Sequence, residues 1–338
     1  MVGDFALGGQ LKVRITPSDV GKRVSVRRVT EIVGGRPVFG DVVGVLTSWD
    51  AGVLMITRRT GEVVRVSEDS LVAGKTVPRA PARRRAGSSA SPAELQRIAA
   101  RGWPALENEP LGGWTLRAAS GFTRRANSVL PLGDPGLPLD EALDRVADWY
   151  ARRSLPAYVQ VTTGAEGSDE ELAAALEERG WTGEASTLMR TAPLVPLTAI
   201  ADDTRAVRLS REVDEAWLSR YHRTGRLGPE AAKVLGAGPS VWLATVPGEE
   251  PGRAPAAIGR CVVDGRWAGF AAIEVAPEHR RRGLGTAVMA ALAARAAEEG
   301  ADLAYLQVME DNESARVMYD AMGFTTHHAY HYRRAPRP

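Results

Sequence analysis

Between residues 21 and 76 apolar and polar positions alternate in short runs and never settle into a helical period. Residues 22–29 alternate basic with apolar side chains, and runs at 41–47, 53–57 and 62–66 follow, separated by Gly, Asp and Thr turns. Arg59-Thr60-Gly61 suits a tight hairpin between two of them. The pattern predicts a small antiparallel β-barrel over residues 10–77. Residues 78–91, rich in Pro, Arg, Ala and Ser, read as a flexible basic linker.

From residue 91 the period changes. Ser91 caps, Pro92 suits the first helical position and Glu94 completes a capping box, so a helix starts here. Strands at 114–119 and 122–130, a helix at 139–153, a strand at 157–162 and a helix at 169–179 lead through Gly180 to a last strand. The final region opens with strands at 205–209 and 241–246 and helices at 212–222 and 229–235, then runs on through strands at 256–263 and 267–275. A helix at 285–299, a strand at 303–309, a helix at 313–322 and a strand at 324–332 close it.

The second order echoes the first. Ala157-Tyr158-Val159-Gln160-Val161 matches Ala304-Tyr305-Leu306-Gln307-Val308, and Gly180-Trp181-Thr182 matches Gly323-Phe324-Thr325. Each of those glycines is followed ten residues later by an arginine, Arg190 and Arg333. One mixed α/β (α+β) architecture is therefore expected twice, over 92–191 and 200–334.

Composition narrows the classes. A chain of 338 residues with 44% hydrophobic and 25% charged residues is an ordinary multi-domain globular protein. The apolar run 286–294 stops at Arg295, far short of a bilayer span, and the start has no secretory pattern; no membrane contact and a cytoplasmic location are expected. One cysteine, Cys261, excludes an internal disulfide framework, and its place in an apolar strand predicts a buried, inert thiol. His327, His328 and His331 on the last strand lack carboxylates at ligand spacing, so no metal is expected. Residues 1–90 hold 15 Lys and Arg against 8 Asp and Glu, the remainder 28 against 33. That basic front leaves nucleic acid as a minor candidate partner beside a plain solvated surface.

The chemistry lies where strand 267–275 runs through Arg280-Arg281-Arg282-Gly283-Leu284-Gly285-Thr286 into a helix. Successive N–H groups at a helix N-terminus form an anion site, helped by the dipole. Glycines let the backbone approach phosphate, and arginines add charge. A dinucleotide fingerprint is excluded because Val288 stands where its third glycine is needed, and no Gly-Lys-Ser/Thr of a P-loop is present.

These residues resemble the GNAT superfamily of N-acetyltransferases, whose signature Gln/Arg-x-x-Gly-x-Gly/Ala stands here as Arg280 to Gly285. A second block of that family, Asn-x-x-Ala with a following Tyr and Gly-Phe, stands as Asn312, Ala315, Tyr319 and Gly323-Phe324. The resemblance covers 203–334 and reaches 92–191 through the repeat. It implies acetyl-CoA as co-substrate and a primary amine as acceptor, either a small molecule such as an amino acid, glutamate included, or a protein amine. It implies that Ile273 and Val275 pair with the pantetheine arm, that Arg280, Arg281, Arg282, Gly283, Leu284, Gly285 and Thr286 hold the pyrophosphate, and that Asn312 contacts the cofactor near its reacting end. Tyr319 takes the place of the phenol that protonates the CoA thiolate. The front region looks like the SH3-like domain of one actinobacterial set.

Two departures qualify the resemblance. Gln307 stands where protein-acetylating members carry a glutamate base, and an amide takes no proton. Glu274 and Glu310 are substitutes, and Glu274 ranks first because the strand that meets the thioester carries it. The first repeat has lost its equipment: Pro131-Leu132-Gly133-Asp134-Pro135-Gly136-Leu137-Pro138 brings an acid and prolines where phosphate needs charge and N–H donors, and Leu176 replaces Tyr319. A degenerate half that walls the acceptor site is expected. The competing reading is a non-catalytic acetyl-CoA-binding regulatory module with a partner-binding front domain.

Overall fold

A computed structural model describes residues 13–33, 36–58, 62–77, 90–200, 204, 206–221, 228–249 and 253–336. The hairpin turn at 59–61, nearly all of the linker and residues 222–227 lie outside the described residues. The chain divides into two compact units, residues 1–83 with 163–175, and 84–162 with 176–338.

In the first unit β1 (Arg23–Val33), β2 (Arg36–Asp50), β3 (Val53–Thr57), β4 (Val63–Ser67) and β5 (Leu71–Thr76) form an antiparallel sheet of order β4-β3-β2-β1-β5. Alternation puts Val24, Val26, Leu46, Leu54, Ile56 and Val66 into one core. The long β2 pairs with β1 and then, past a bulge between Leu46 and Ser48, with β3. Among the described residues the edge strands β4 and β5 do not pair, so the sheet stays open where a closed barrel was expected. The pattern also misses β5, because the only fully buried position in it is Gly74, which carries no apolar side chain to read. A Cβ there would come within 2.8 Å of Ile15.

The second unit opens with α1 (Pro92–Gly102), where Ser91 Oγ accepts the Glu94 N–H at 3.2 Å, one bond of the expected box. Then come β6 (Glu107–Leu111), β7 (Trp114–Ala118), β8 (Leu130–Pro131), α2 (Leu139–Ala151), β9 (Tyr158–Thr163), α3 (Glu170–Glu178), most of which falls within the residues grouped with the first unit, and β10 (Thr182–Pro193). The later half adds β11 (Arg208–Ser210), α4 (Glu215–Arg220), α5 (Pro229–Gly236), β12 (Ser240–Val246), β13 (Ala257–Asp264), β14 (Trp267–Val275), α6 (Leu284–Glu298), β15 (Leu303–Met309), α7 (Glu313–Ala321) and β16 (Thr325–Arg334). Of the strand expected at 122–130 only the end survives, as the Val129 bridge and the start of β8. A turn held by Asn127 replaces the rest: Oδ1 accepts the N–H groups of Ala119 and Gly121, and Nδ2 donates to the carbonyls of Phe122 and Thr123.

Eight strands run β11-β12-β13-β14-β15-β10-β16-β9, and a parallel bridge between Val129 and Val159 links β9 to the three-stranded sheet β6-β7-β8. The two repeats have exchanged their last strands. β10 of the first lies against β15 of the second, while β16 of the second lies against β9 of the first. Arginines lock the exchange. Arg190 on β10 is buried and bonds Asp320 and the carbonyls of Arg316 and Phe324 in the second repeat. Arg333 on β16 bonds Glu177 at 2.9 Å and the Trp181 carbonyl, the matching positions of the first.

A buried polar chain crosses the same seam. Arg117 donates to Gln160 (2.9 Å), Gln160 to Gln96 (2.7 Å), and Gln96 to His328 Nε2 (2.9 Å). His328 Nδ1–H then faces His327 Nδ1 at 2.8 Å, and His327 Nε2–H donates to the Ala90 carbonyl at 3.0 Å. Every bond is made only while both imidazoles are neutral. Burial and the neighbouring His327 push His328 down to about 3, and burial with Arg333 pushes His331 down to about 4.

Two outcomes follow from this seam. An unfolded histidine protonates near pH ~6.5, so below that pH the unfolded chain binds more protons than the fold and stability falls on acidification. Thermal melts should show a midpoint that drops steadily between about pH 6.5 and about pH 4, with His328→Gln giving a shallower slope than the parent. Separately, Arg190→Met strands three acceptors and should cost about 2–3 kcal/mol in urea unfolding.

Candidate functional site

β14 and β15 run parallel from the pair Trp267/Leu303 to Phe270/Leu306, where the ladder ends and the strands part. A bulge on β14 drives the parting. Ile258 pairs with Glu274 but Arg260 with Ala271, so two residues of β14 oppose the single Gly259, and Ala272 is forced to φ +53°. Gly259 is obligatory because a Cβ would lie 2.4 Å from Val288 of α6.

Beyond Val275 the chain makes a short turn at Pro277–His279 and enters α6 through two left-handed residues, Arg281 (φ +57°) and Gly283 (φ +76°). Gly283 is the N-cap, and no side chain caps the helix. Its first N–H groups have no intrahelical acceptor, so a fifteen-residue dipole ends on open donors flanked by exposed Arg280, Arg281 and Arg282. The two glycines serve differently. Open space surrounds a Cβ at Gly283, whose need is conformational, whereas Gly285 is buried and a Cβ there would make ordinary contact, 3.6 Å, with Val275 and Met318. Arg282 already meets His279 Nδ1 at 2.8 Å and Glu249 at 3.5 Å.

The other expected site residues are dispersed around this point. Ile273 and Val275 pack against the core that α6 helps to form, as does Leu284 at the start of that helix. Glu274 alternates to the other sheet face, opposite Ile258. Asn312 caps α7, its Oδ1 accepting the Ala315 N–H at 3.1 Å. Tyr319 is buried beneath α6 and α7, edge-on to Phe324. Cys261 is fully buried and pushed up to about 12 by desolvation, an inert thiol.

A cavity of about 250 Å³ lies at the parted strands, and no residue of α6 or α7 lines it. Ala271, Ala272 and Gln307 bound it at the strands; Trp103, Arg124, Arg125, Tyr330 and Tyr332 bound it from the first repeat and β16. Tyr330 donates to Gln307 Oε1 at 2.6 Å. Trp103 and Arg125 are not legible as site residues in the sequence, because the pattern over 122–130 reads as strand where the Asn127 turn positions Arg124-Arg125. The Asn a few residues after a Gly and a Thr was the available signal.

The equivalent loop of the first repeat closes on itself. Asp134 accepts the Gly136 N–H at 2.6 Å, and a Cβ at Gly112 would meet the Pro135 carbonyl at 2.4 Å. Among the described residues no group of His, Cys, Asp or Glu could hold a metal, and no helix is long and apolar enough to cross a membrane.

Residues 90–333 match the family model described as "Probable histone acetyltransferase Rv0428c C-terminal". The chain is similar to the probable histone acetyltransferase Rv0428c of Mycobacterium tuberculosis, 29% identical over 317 residues that cover 93% of this chain and 94% of the relative. It also resembles the uncharacterized N-acetyltransferase YobR of Bacillus subtilis, 28% identical over 71% of this chain and 97% of the relative. A solved GCN5-related N-acetyltransferase from Kribbella flavida shares the fold, with TM-score 0.55, 18% identity, and coverage of 74% of this chain and 98% of that one.

Replacing Gly283 by Ala should cost about 1 kcal/mol or somewhat more through its left-handed φ alone. Calorimetric titration with CoA should show weaker binding for this variant, and dephosphorylated pantetheine, which lacks the pyrophosphate, should bind both proteins alike.

Proposed function

The chain belongs to the family of Rv0428c-type acetyltransferases, GNAT enzymes that move acetyl groups, and we propose that it transfers acetyl from acetyl-CoA directly to a primary amine seated in the cavity at the parted strands. One observation carries the reading. An uncapped helix N-terminus, reached through Arg281 and Gly283, stands at the end of the strand whose bulge opens that cavity.

The residues fit the cofactor. Open N–H donors of α6 with Arg280 and Arg281 suit a pyrophosphate, and the β14 edge at Ile273 and Val275 suits an amide-bearing arm. Acetyl-CoA supplies an activated acyl group. Around it the chain has three tasks: keep the amine neutral, polarise the carbonyl, and protonate the departing sulfur as the new C–N bond replaces C–S. We assign the proton from the amine to Glu274, which lies on β14 just beyond the bulge, opposite Ile258, and does not itself line the cavity, and the proton to sulfur to the Tyr319 phenol. Asn312 is assigned a contact near the reacting end, made by the face of its amide that the α7 cap leaves over. Residues 92–191 serve as a degenerate half that walls the acceptor site, a reading supported by its self-closed loop. The five-stranded front unit is read as SH3-like from its antiparallel strand order.

Thiol release with acetyl-CoA and an amine panel tests the assignment. Tyr319→Phe should lower kcat about 10²-fold with little change in KM for acetyl-CoA. Glu274→Gln should be most impaired at low pH and recover as solution pH deprotonates the amine. Unchanged turnover of Tyr319→Phe across the pH range would reject the acid.

A further inference from the structure

We propose that the acceptor is a small amine that also carries a carboxylate, and that Arg125 is the specificity residue that holds it; this rests on the acetyltransferase reading above. Among the described residues the cavity walls carry Arg124, Arg125 and Arg260 and no aspartate or glutamate. Two of these guanidiniums are already engaged. Arg260 is buried and donates to the carbonyls of Leu235 (2.6 Å), Gly102 (2.9 Å) and Ala237 (2.7 Å). Arg124 pairs with Glu184 at 2.9 Å and lies over the Tyr158 ring.

Arg125 is different. It lies 4.9 Å over the Trp103 indole and shares the cavity wall with Tyr330, yet no carboxylate among the described residues pairs with it. Its Nε is buried with no hydrogen-bond partner. A half-buried cation with an unused donor is costly to maintain, and a carboxylate satisfies both the charge and the donor with the planar fork that guanidinium prefers. Trp103 and Asn127 fix the fork from two sides, since the Asn127 turn sets the backbone and the indole supports the plane.

Size and sign narrow the ligand. The cavity, about 250 Å³, falls below the roughly 300–1,000 Å³ of pockets that take drug-sized molecules. A lysine from a basic peptide would bring further positive charge against a wall of arginines. A carboxylate-bearing amine instead neutralises Arg125, with its remainder along Tyr330 and Tyr332 toward the parted strands. The same positive wall disfavours ammonium and so favours the neutral nucleophile, a help where Gln307 takes no proton.

The test uses the full chain and acetyl-CoA with L-phenylalanine, L-leucine and L-glutamate, their α-carboxamides, and a lysine-rich peptide. In thiol release, kcat/KM should favour an acid over its amide by about tenfold or more, and Arg125→Gln should collapse that ratio while Arg125→Lys retains part of it. Equal rates for acid and amide, an unchanged ratio in Arg125→Gln, or preference for the peptide would overturn the proposal. A second readout is independent of turnover: calorimetric binding of the same acids and amides to the CoA-loaded protein. If no amine is acetylated, the acetyltransferase reading fails on its own. Acid-selective binding lost in Arg125→Gln would still uphold the subsite, and acid and amide binding alike, or neither binding, would sink it.

Discussion

The exchange of terminal strands between the two repeats is the constraint on which the site depends. β15 cannot complete its own sheet without β10, which the other repeat supplies, and β9 takes β16 in return. Neither half can therefore fold to its final form alone. The arginine ten residues after the glycine of each Gly-aromatic pair secures the exchange: Arg190 and Arg333 each reach across to the carbonyl of the opposite repeat's aromatic residue, Phe324 or Trp181, and to one acidic side chain, Asp320 or Glu177. Buried guanidinium bonds of this kind are specific because a slipped register leaves charge and carbonyls unpaired.

That exchange also gives the first repeat a part in the site. Its own loop is closed by Asp134 and Gly136, but it still gives the sheet a strand and the cavity its Trp103, Arg124 and Arg125 wall. The second repeat contributes the bulge at Ala272 and the open end of α6. Under the proposed function, backbone geometry serves the cofactor and side-chain charge serves the acceptor.

The basic front unit has a quieter explanation than its charge count suggests. Arg27 forms two bonds with its cross-strand neighbour Asp41, at 2.8 and 2.9 Å, and Lys22 pairs with Asp19. Cross-strand pairs of this type support a sheet locally and reduce the field available to a polyanion.

The local features were set by the sequence itself. Alternation and the Gly-Arg run located β14, the loop and α6 to within a residue or two, since a left-handed glycine before an apolar helix and period-two strands are near-neighbour properties. The repeat was legible for the same reason, down to Arg190 and Arg333. Tertiary structure alone decided which repeat each last strand joins, because a strand's apolar pattern suits any sheet edge equally. It also decided that Asn312 caps a helix, that Tyr319 sits in the core rather than in the cavity wall, and that Arg125 faces the cavity without a carboxylate partner among the described residues. Those outcomes are sums of contacts between residues far apart in the chain, and no window of sequence contains both partners.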